Sequence, residues 1–312
     1  MERNGGFHSI VIVCILILAL AGSAGAQYGG GSGRPDDPYL IYTPEQMNAI
    51  GADPNDWDKH FQLRADIDLA QYTGAAFNLI GMPGMVTRIH GGGTAETPTA
   101  FAGSFDGNGH TIANFTYRCE ELAYIGLFAR VDDPNAEIRN VRLSNPDIDA
   151  GTGTNVGALV GYLRDGTITS CHVEGGTLLG ADNVGGLIGY NDQGAIINCD
   201  AGSNVSGERN IGVLVGRQNR GAVANCRAAG SAAGENSVGG LIGSNAGTVT
   251  NCYALGTVNG DRDTGGLLGK TDGGTVTCCY AAGPVAGTSA SDTGGLIGWN
   301  WGSSVLACFW DV

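Results

Sequence analysis

The chain has 312 residues, 55 of them glycine, and a formal net charge of −14. So much glycine would suit collagen or a low-complexity tract, but there is no triplet period and apolar residues keep returning between the glycines, so an ordered repeat is expected instead. The acidic surface repels phosphate backbones, which argues against nucleic acid as a partner and leaves divalent cations and neutral or basic surfaces open.

Residues 1–26 carry Arg3, an apolar run over 10–21 and a small-residue stretch over 22–26, the pattern of a signal peptide cleaved after Ala26. The run is shorter than the ~20 apolar residues that a membrane-spanning helix needs. Cys14 lies inside it and not at the cleavage point, so no lipid attachment is expected. No second run of spanning length follows, and Glu2 and Arg3 cancel, so the mature chain is expected outside the cell or on its surface with its acidity intact.

Residues 27–149 read as an N-terminal cap followed by the first, irregular coils. A glycine-rich lead at 29–33 precedes the stretch 44–50, where Pro44 stands near the start of one or two helical turns. Such a segment covers the open end of a stack of strands, whose bare edge otherwise invites aggregation. FAGSFDGNGHTI at 101–112 reads as entry into a first coil, and IGLFARV at 125–131 as a degenerate repeat.

From 150 to 312 one pattern recurs, clearest as VGGLIGSNAGTVTNCYALGTVNG at 238–260. Its first position falls at Val156, Val184, Ile211, Val238, Thr264 and Thr293, spacings of 28, 27, 27, 26 and 29 that define six coils. Further columns keep step: Leu159, Leu187, Leu214, Leu241, Leu267 and Leu296, then Ile168, Ile196, Val223, Val249, Val276 and Val305, then a cysteine, then Ala201, Ala228, Ala254 and Ala281. Matched apolar columns at a near-constant period mean stacked supersecondary units. Leucine-rich repeats have a similar period, but the glycine in every coil costs a helix ~1 kcal/mol per residue relative to alanine. Three short strands per coil, separated by Gly and Asn turns, predict instead an all-β, right-handed parallel β-helix of about 27 residues per coil. One coil cannot offset its ordering entropy, so stability grows by stacking neighbours. The chain ends at Cys308, Phe309, Trp310, Asp311 and Val312 without a polar cap, either as a fragment or closed by the bulk of Phe309 and Trp310.

The Gly-Leu-apolar-Gly cores at 186–189, 240–243, 266–269 and 295–298 resemble those of the bacterial GLUG-motif repeat proteins. The segments DPYLIYTPEQMNAIG, HFQLRADIDL and FDGNGHTI are similar to what precedes such repeats, so the resemblance spans nearly the whole mature chain. Two coils depart from the core, with Ala158 and Val213 at its first glycine. The resemblance implies a large exported or surface protein, adhesin-like or joined to a peptidase domain, whose repeats are not themselves catalytic.

Nine cysteines in an exported chain suggest disulfides. Without Cys14, six of the remaining eight fall in one column, Cys171, Cys199, Cys226, Cys252, Cys279 and Cys308. Cys278 takes the place of Asn198, Asn225 and Asn251 one column earlier. The six read as a buried ladder of thiols, although a coil rise of ~4.8 Å also permits a disulfide. No CxxC spacing points to zinc.

The segment 264–271 nearly matches a nucleotide-binding loop, but Thr264 stands where the first glycine is required and the segment is the fifth repeat. Acidic residues before each coil, Asp182, Glu208, Glu235, Asp261, Asp263 and Asp292, offer oxygens for calcium but lack a dedicated loop motif, and a solvated turn is expected. Asp66 and Asp68, or Asp106 beside His110, can be offered as acid–base pairs for a polysaccharide lyase or hydrolase, enzymes that also use this fold, but fold analogy alone does not make a catalyst. His60, His90, His110 and His172 show no HExxH or triad context and read as solvated loop residues. Tyr162, Tyr190 and Trp299 share a column able to stack on sugars, interrupted by Arg217, Ser244 and Lys270.

No catalytic, metal or cofactor site is therefore expected. The sequence points to a non-catalytic exported scaffold for adhesion or for binding an extracellular glycan or protein, with a polysaccharide-cleaving β-helix, or the stalk of a larger surface enzyme, as the alternatives.

Overall fold

A computed structural model describes residues 27–82, 100–288 and 292–311 of the chain; the expected signal peptide at 1–26 and His90 lie outside them. The described strands form three sheets of 15, 11 and 9 strands whose rungs pair parallel from coil to coil, the arrangement of a parallel β-helix. One coil shows the course. The chain leaves the second face at Asp182–Gly185, turns at Leu187, and crosses the first face as Ile188–Asn191 and Ala195–Ile197. It then turns at Cys199, makes the third face with Asp200–Ala201, turns at Ser203, and regains the second face in Asn204–Gly212.

The columns read from the period stack as predicted. Val184 pairs with Val156 and Ile211, Ile196 with Ile168 and Val223, and Ala228 with Ala201 and Ala254. The leucines at the first corner are joined through their backbones, Leu187 N–H to Leu214 O at 3.1 Å and Leu214 N–H to Leu241 O at 3.0 Å, and their side chains are buried. The ladder also continues upstream of the regular repeats: Ile168 pairs with Ile138, Ile138 with Phe105, Phe105 with Phe61 and Phe61 with Tyr39.

The strand Tyr39–Ile41 leads into the helix Pro44–Ala52. Thr43 accepts from Gln46 N–H at 3.3 Å while the Gln46 side chain accepts from Tyr42 N–H at 2.7 Å, and Pro44 occupies the first turn, where its missing N–H has no partner to lose. Met47 and Ile50 are buried, and Trp57 Nε1 donates to Ile50 O at 2.7 Å, which fixes the helix to the chain that follows it.

The repeated core motif has a geometric cause. On the second face Asn155, Asn183, Asn210, Ser237 and Asp263 bulge out of the strand pairing with φ between 50° and 58°, a left-handed conformation that Asn and Asp tolerate better than most residues. The last glycine of each motif lies against this bulge of the preceding coil. A Cβ on Gly189 would fall 2.4 Å from Asn155 C, and one on Gly216 the same distance from Asn183 C. Ala158 and Val213, at the first glycine, are buried and leave the corner intact, with Leu159 N–H donating to Leu187 O at 3.1 Å.

A second left-handed column marks the corner before the third face: Asn198, Asn225, Asn251, Cys278 and Ala307, at φ 51° to 56°. Asn225 donates to Asn198 at 3.2 Å and Asn251 to Asn225 at 3.3 Å. Cys278 thus replaces an asparagine whose backbone conformation it must still adopt. The next column holds the ladder thiols, all free. Each donates back to the carbonyl two residues earlier, as Cys226 to Ala224 O and Cys252 to Thr250 O, both at 3.2 Å. The neighbouring thiol of the preceding coil, together with burial, pushes Cys226 and Cys252 up to about 12. Almost no thiolate then exists in mildly alkaline solution. Iodoacetamide on the native protein is expected to label exposed Cys278 while Cys226 and Cys252 stay unmodified until denaturant is added; mass spectrometry showing the two alkylated before unfolding would remove the buried ladder.

Candidate functional site

The strands of the third face are two or three residues long, so each sends one side chain into the tube and its neighbour out. Val173, Ala201, Ala228 and Ala254 go inward. The residue after each ladder cysteine goes outward, in the order His172, Asp200, Arg227, Tyr253, Tyr280 and Phe309, with Arg142 extending the column upstream.

Arg142, His172, Asp200 and Arg227 line a groove of about 340 Å³ floored by Val173 and Ala201. A second hollow of about 200 Å³ lies between Arg142 and His172 on one side and Asn140 and Ser170 on the other. His172 Nδ1 donates to Asp200 Oδ2 at 2.7 Å, which places the ring proton on Nδ1 and orients Nε2. Among the described residues no hydroxyl or thiol bonds to Nε2, so the pair lacks the nucleophile of a triad. Arg142 reaches Glu174 only at 4.0 Å. The histidine was expected in a solvated loop; it stands instead on the strand His172–Glu174, because a three-residue strand gives the same local sequence signal as a turn. His60 likewise lies on a strand, its Nδ1 2.6 Å from Oγ of its register partner Ser104.

The carboxylates proposed for acid–base work are committed elsewhere. Asp66 takes Thr111 N–H at 2.9 Å and His110 Nδ1 at 3.2 Å, and Asp68 takes Asn114 Nδ2 at 2.8 Å and Ala70 N–H at 3.0 Å. These bonds hold both carboxyls below the usual carboxylate range. Burial would raise Asp106, but its bonds from Asn140, Asn108 and Arg139 outweigh that and lower it too. His110 bonds to Asp66 and not to Asp106, so Asp106 and His110 do not form an acid–base pair. Each of these carboxylates is held in its ionised form by its hydrogen bonds, the opposite of what a general acid requires.

The acidic residues before each coil do not make one column. Asp182 stands opposite Arg209 and binds its guanidinium at 2.6 and 2.8 Å, whereas Asp263 occupies the left-handed column beside Ser237. No cluster of three or more His, Cys, Asp or Glu suited to a metal occurs among the described residues. The nucleotide-loop look-alike is two strands and a corner, Val258–Gly265 and Leu268–Asp272, with Lys270 Nζ 5.3 Å from the centre of the Trp299 ring.

Two of the three gaps in the aromatic column of the first face are bridged by cations, Arg217 over Tyr190 and Lys270 over Trp299. Arg130 covers Tyr162 at 5.6 Å, Tyr162 covers Tyr190 at 5.2 Å, and Arg217 covers Tyr190 at 5.3 Å. Tyr162 and Tyr190 thus lie tilted by 48° against each other, each with a guanidinium beside its ring. On the last described rung Trp310 takes the inward position, in register with Ala281 and with its ring against Gly295, while Phe309 faces outward.

The model for the GLUG motif matches residues 180–206 and 234–259. This chain carries the GLUG motif. Both matched GLUG stretches contain the inward leucine and the last glycine packed on the bulge of the preceding coil. Over 149 residues, 47% of the chain, it is 36% identical to Halomucin of Haloquadratum walsbyi, and the match spans 1% of that protein. A crystal structure of a putative immunoglobulin A1 protease from Bacteroides ovatus superposes with a TM-score of 0.61 at 22% identity, covering 90% of this chain and 88% of the other. That likeness shows the fold alone. No helix among the described residues is long and apolar enough to cross a membrane.

Proposed function

We propose that this β-solenoid is a non-catalytic, exported scaffold that presents its third face to an extracellular ligand, a glycan or a protein, at or near a cell surface. One observation carries the reading: the outward column from Arg142 to Phe309 gathers polar groups on an open groove and continues as the rings of Tyr253, Tyr280 and Phe309. The pattern of residues 1–26 supports export. The likeness to a putative protease is too distant to support peptide cleavage. Purified chain lacking residues 1–26 is expected to be retained on at least one of intact cells, extracellular matrix or an immobilised glycan panel. Recovery in the flow-through from all three would end the proposal.

The His172–Asp200 pair favours a second reading, a polysaccharide lyase or hydrolase acting in the same groove. Release of reducing sugar or unsaturated product from a polysaccharide panel, lost in His172→Gln, would promote it over the scaffold reading.

A further inference from the structure

The third face sets two cations, Arg142 and Arg227, in one outward column with the rings of Tyr253, Tyr280 and Phe309. In a chain of net charge −14 several arginines are neutralised by carboxylates one coil away. Arg118 binds Asp147, Arg139 binds Asp106, Arg164 binds Asp132 at 3.0 Å and Arg209 binds Asp182. Arg227 differs. Its register partner Asp200 is turned the other way, onto His172, and no carboxylate lies within 4.0 Å of the Arg227 guanidinium among the described residues. Arg142, at the opposite end of the groove, has only the 4.0 Å approach to Glu174, both groups being at least half exposed. The two cations thus frame the His172–Asp200 pair, with room between them.

We infer that the third face binds a linear acidic polysaccharide, carboxylated or sulfated, laid along the tube axis with its anionic groups on Arg142 and Arg227 and its sugar rings on Tyr253 and Tyr280. This rests on the ligand-binding reading above and names the class of ligand. Planar guanidinium groups match carboxylate and sulfate oxygens in a two-point fork, an advantage a lone ammonium lacks. The groove floor of Val173 and Ala201 and its rim at Gly175 and Gly202 keep bulk away, so a polymer can lie close to the sheet. Beyond Arg227 the column becomes Tyr253, 40% exposed, then Tyr280 and Phe309, whose rings lie 5.0 Å apart. These offer apolar surface to a sugar and, from the tyrosines, a hydroxyl.

Scale separates a polymer from a small ligand. Coils rise by ~4.8 Å, so the three steps from Arg142 to Arg227 span ~14 Å and the five to Tyr280 span ~24 Å, longer than a single sugar and aligned in one direction. The groove also holds two carboxylates, Asp200 and Glu174, but Asp200 is bound to His172 and Glu174 stands at the Arg142 end, so the Arg227 guanidinium is the cation that a polyanion meets without a competing carboxylate. A nucleic acid would share the charge, but it is served poorly by one strip of two arginines on a chain so negative.

The test uses the chain lacking residues 1–26 with three defined probes, polygalacturonate, heparin and neutral dextran, followed by affinity electrophoresis. Retardation is expected with polygalacturonate, heparin or both, the two arms telling carboxylate from sulfate. It is expected to weaken with added salt and to be absent with dextran. The double variant Arg142→Ala/Arg227→Ala should lose about tenfold or more in affinity, in line with lost charged hydrogen bonds. Arg142→Lys/Arg227→Lys should recover only part of it. Tyr253→Ala should lose affinity without changing the salt slope. Arg118→Ala/Arg209→Ala serves as the control and should bind as the parent does, and circular dichroism of every variant should overlay the parent. Equal retardation by dextran, an unaffected double alanine variant, or preference for single-stranded DNA over both polyanions would overturn the inference. Retention on cells or neutral glycans without polyanion binding would sink it while leaving the ligand-binding reading intact; no retention on anything would sink both.

Discussion

Gly216→Ala and Gly243→Ala are each expected to lower stability by at least the upper end of the ~1–3 kcal/mol typical of overpacking, and to do so without altering any exposed residue. The added methyl would lie 2.4 Å from Asn183 C in the first case and from Asn210 C in the second. Those atoms belong to left-handed bulges held on both sides by the strand ladder, so the neighbour that must give way is backbone and not a flexible side chain. Gly202→Ala is the contrasting variant. Its Cβ would meet nothing nearer than 3.6 Å, at ordinary backbone dihedrals, and reduced freedom of the unfolded chain should stabilise by ~0.4–1 kcal/mol. Urea titrations of the three variants give the comparison directly. Equal effects at all three glycines would show that the motif glycines are kept for turn flexibility and not for the close approach of two faces.

This distinction explains how much of the molecule the sequence displayed. Columns such as Leu187, Leu214 and Leu241 were legible because the interior demands the same chemistry at every rung, and sameness at a fixed interval is what a periodicity reveals. The outward column of the third face carries Arg, His, Asp, Arg, Tyr, Tyr and Phe in turn, so it has a period without an identity. Its position, directly after each ladder cysteine, was the available signal. The interior also hides a polar column that reads as solvent-exposed: Asn191, Gln218, Asn245 and Thr271, in register and buried. Asn245 shows why it is inside, accepting from Gly247 N–H at 3.1 Å and donating to Thr271 Oγ1 at 3.1 Å, which pins the bend between the two strands of the first face. The left-handed Asn155, Asn183 and Asn210 were visible as letters but not as a requirement, since only the bulge beneath the next motif's last glycine gives them a role. Upstream, the stack from Phe61 to Phe105 to Ile138 escaped the pattern because insertions stretch the interval between rungs while leaving the pairing intact.

Leu214→Ala should be more damaging than the same change at Leu296, and the difference tests whether the tube behaves as a line of nearest-neighbour interfaces. Leu214 is fully buried between Leu187 and Leu241, and the corner hydrogen bonds on both sides, at 3.1 and 3.0 Å, prevent the backbone from settling into the space the side chain leaves. A loss in the upper part of the ~2–5 kcal/mol range for Leu→Ala is expected. Leu296 lies in the last described coil, is 8% exposed, and joins Leu267 through one rung at 2.8 Å, so relaxation and water can fill part of the void. Its loss should sit at the low end of that range. An interior defect also weakens the two interfaces that couple the coils above and below it. The Leu214→Ala transition in urea should therefore broaden, with a smaller apparent m-value, as the two parts of the stack begin to unfold separately, whereas Leu296→Ala should shift the midpoint and keep the slope. Identical shifts and unchanged slopes at both positions would mean that the chain unfolds as one indivisible unit, in which position along the axis carries no energetic weight.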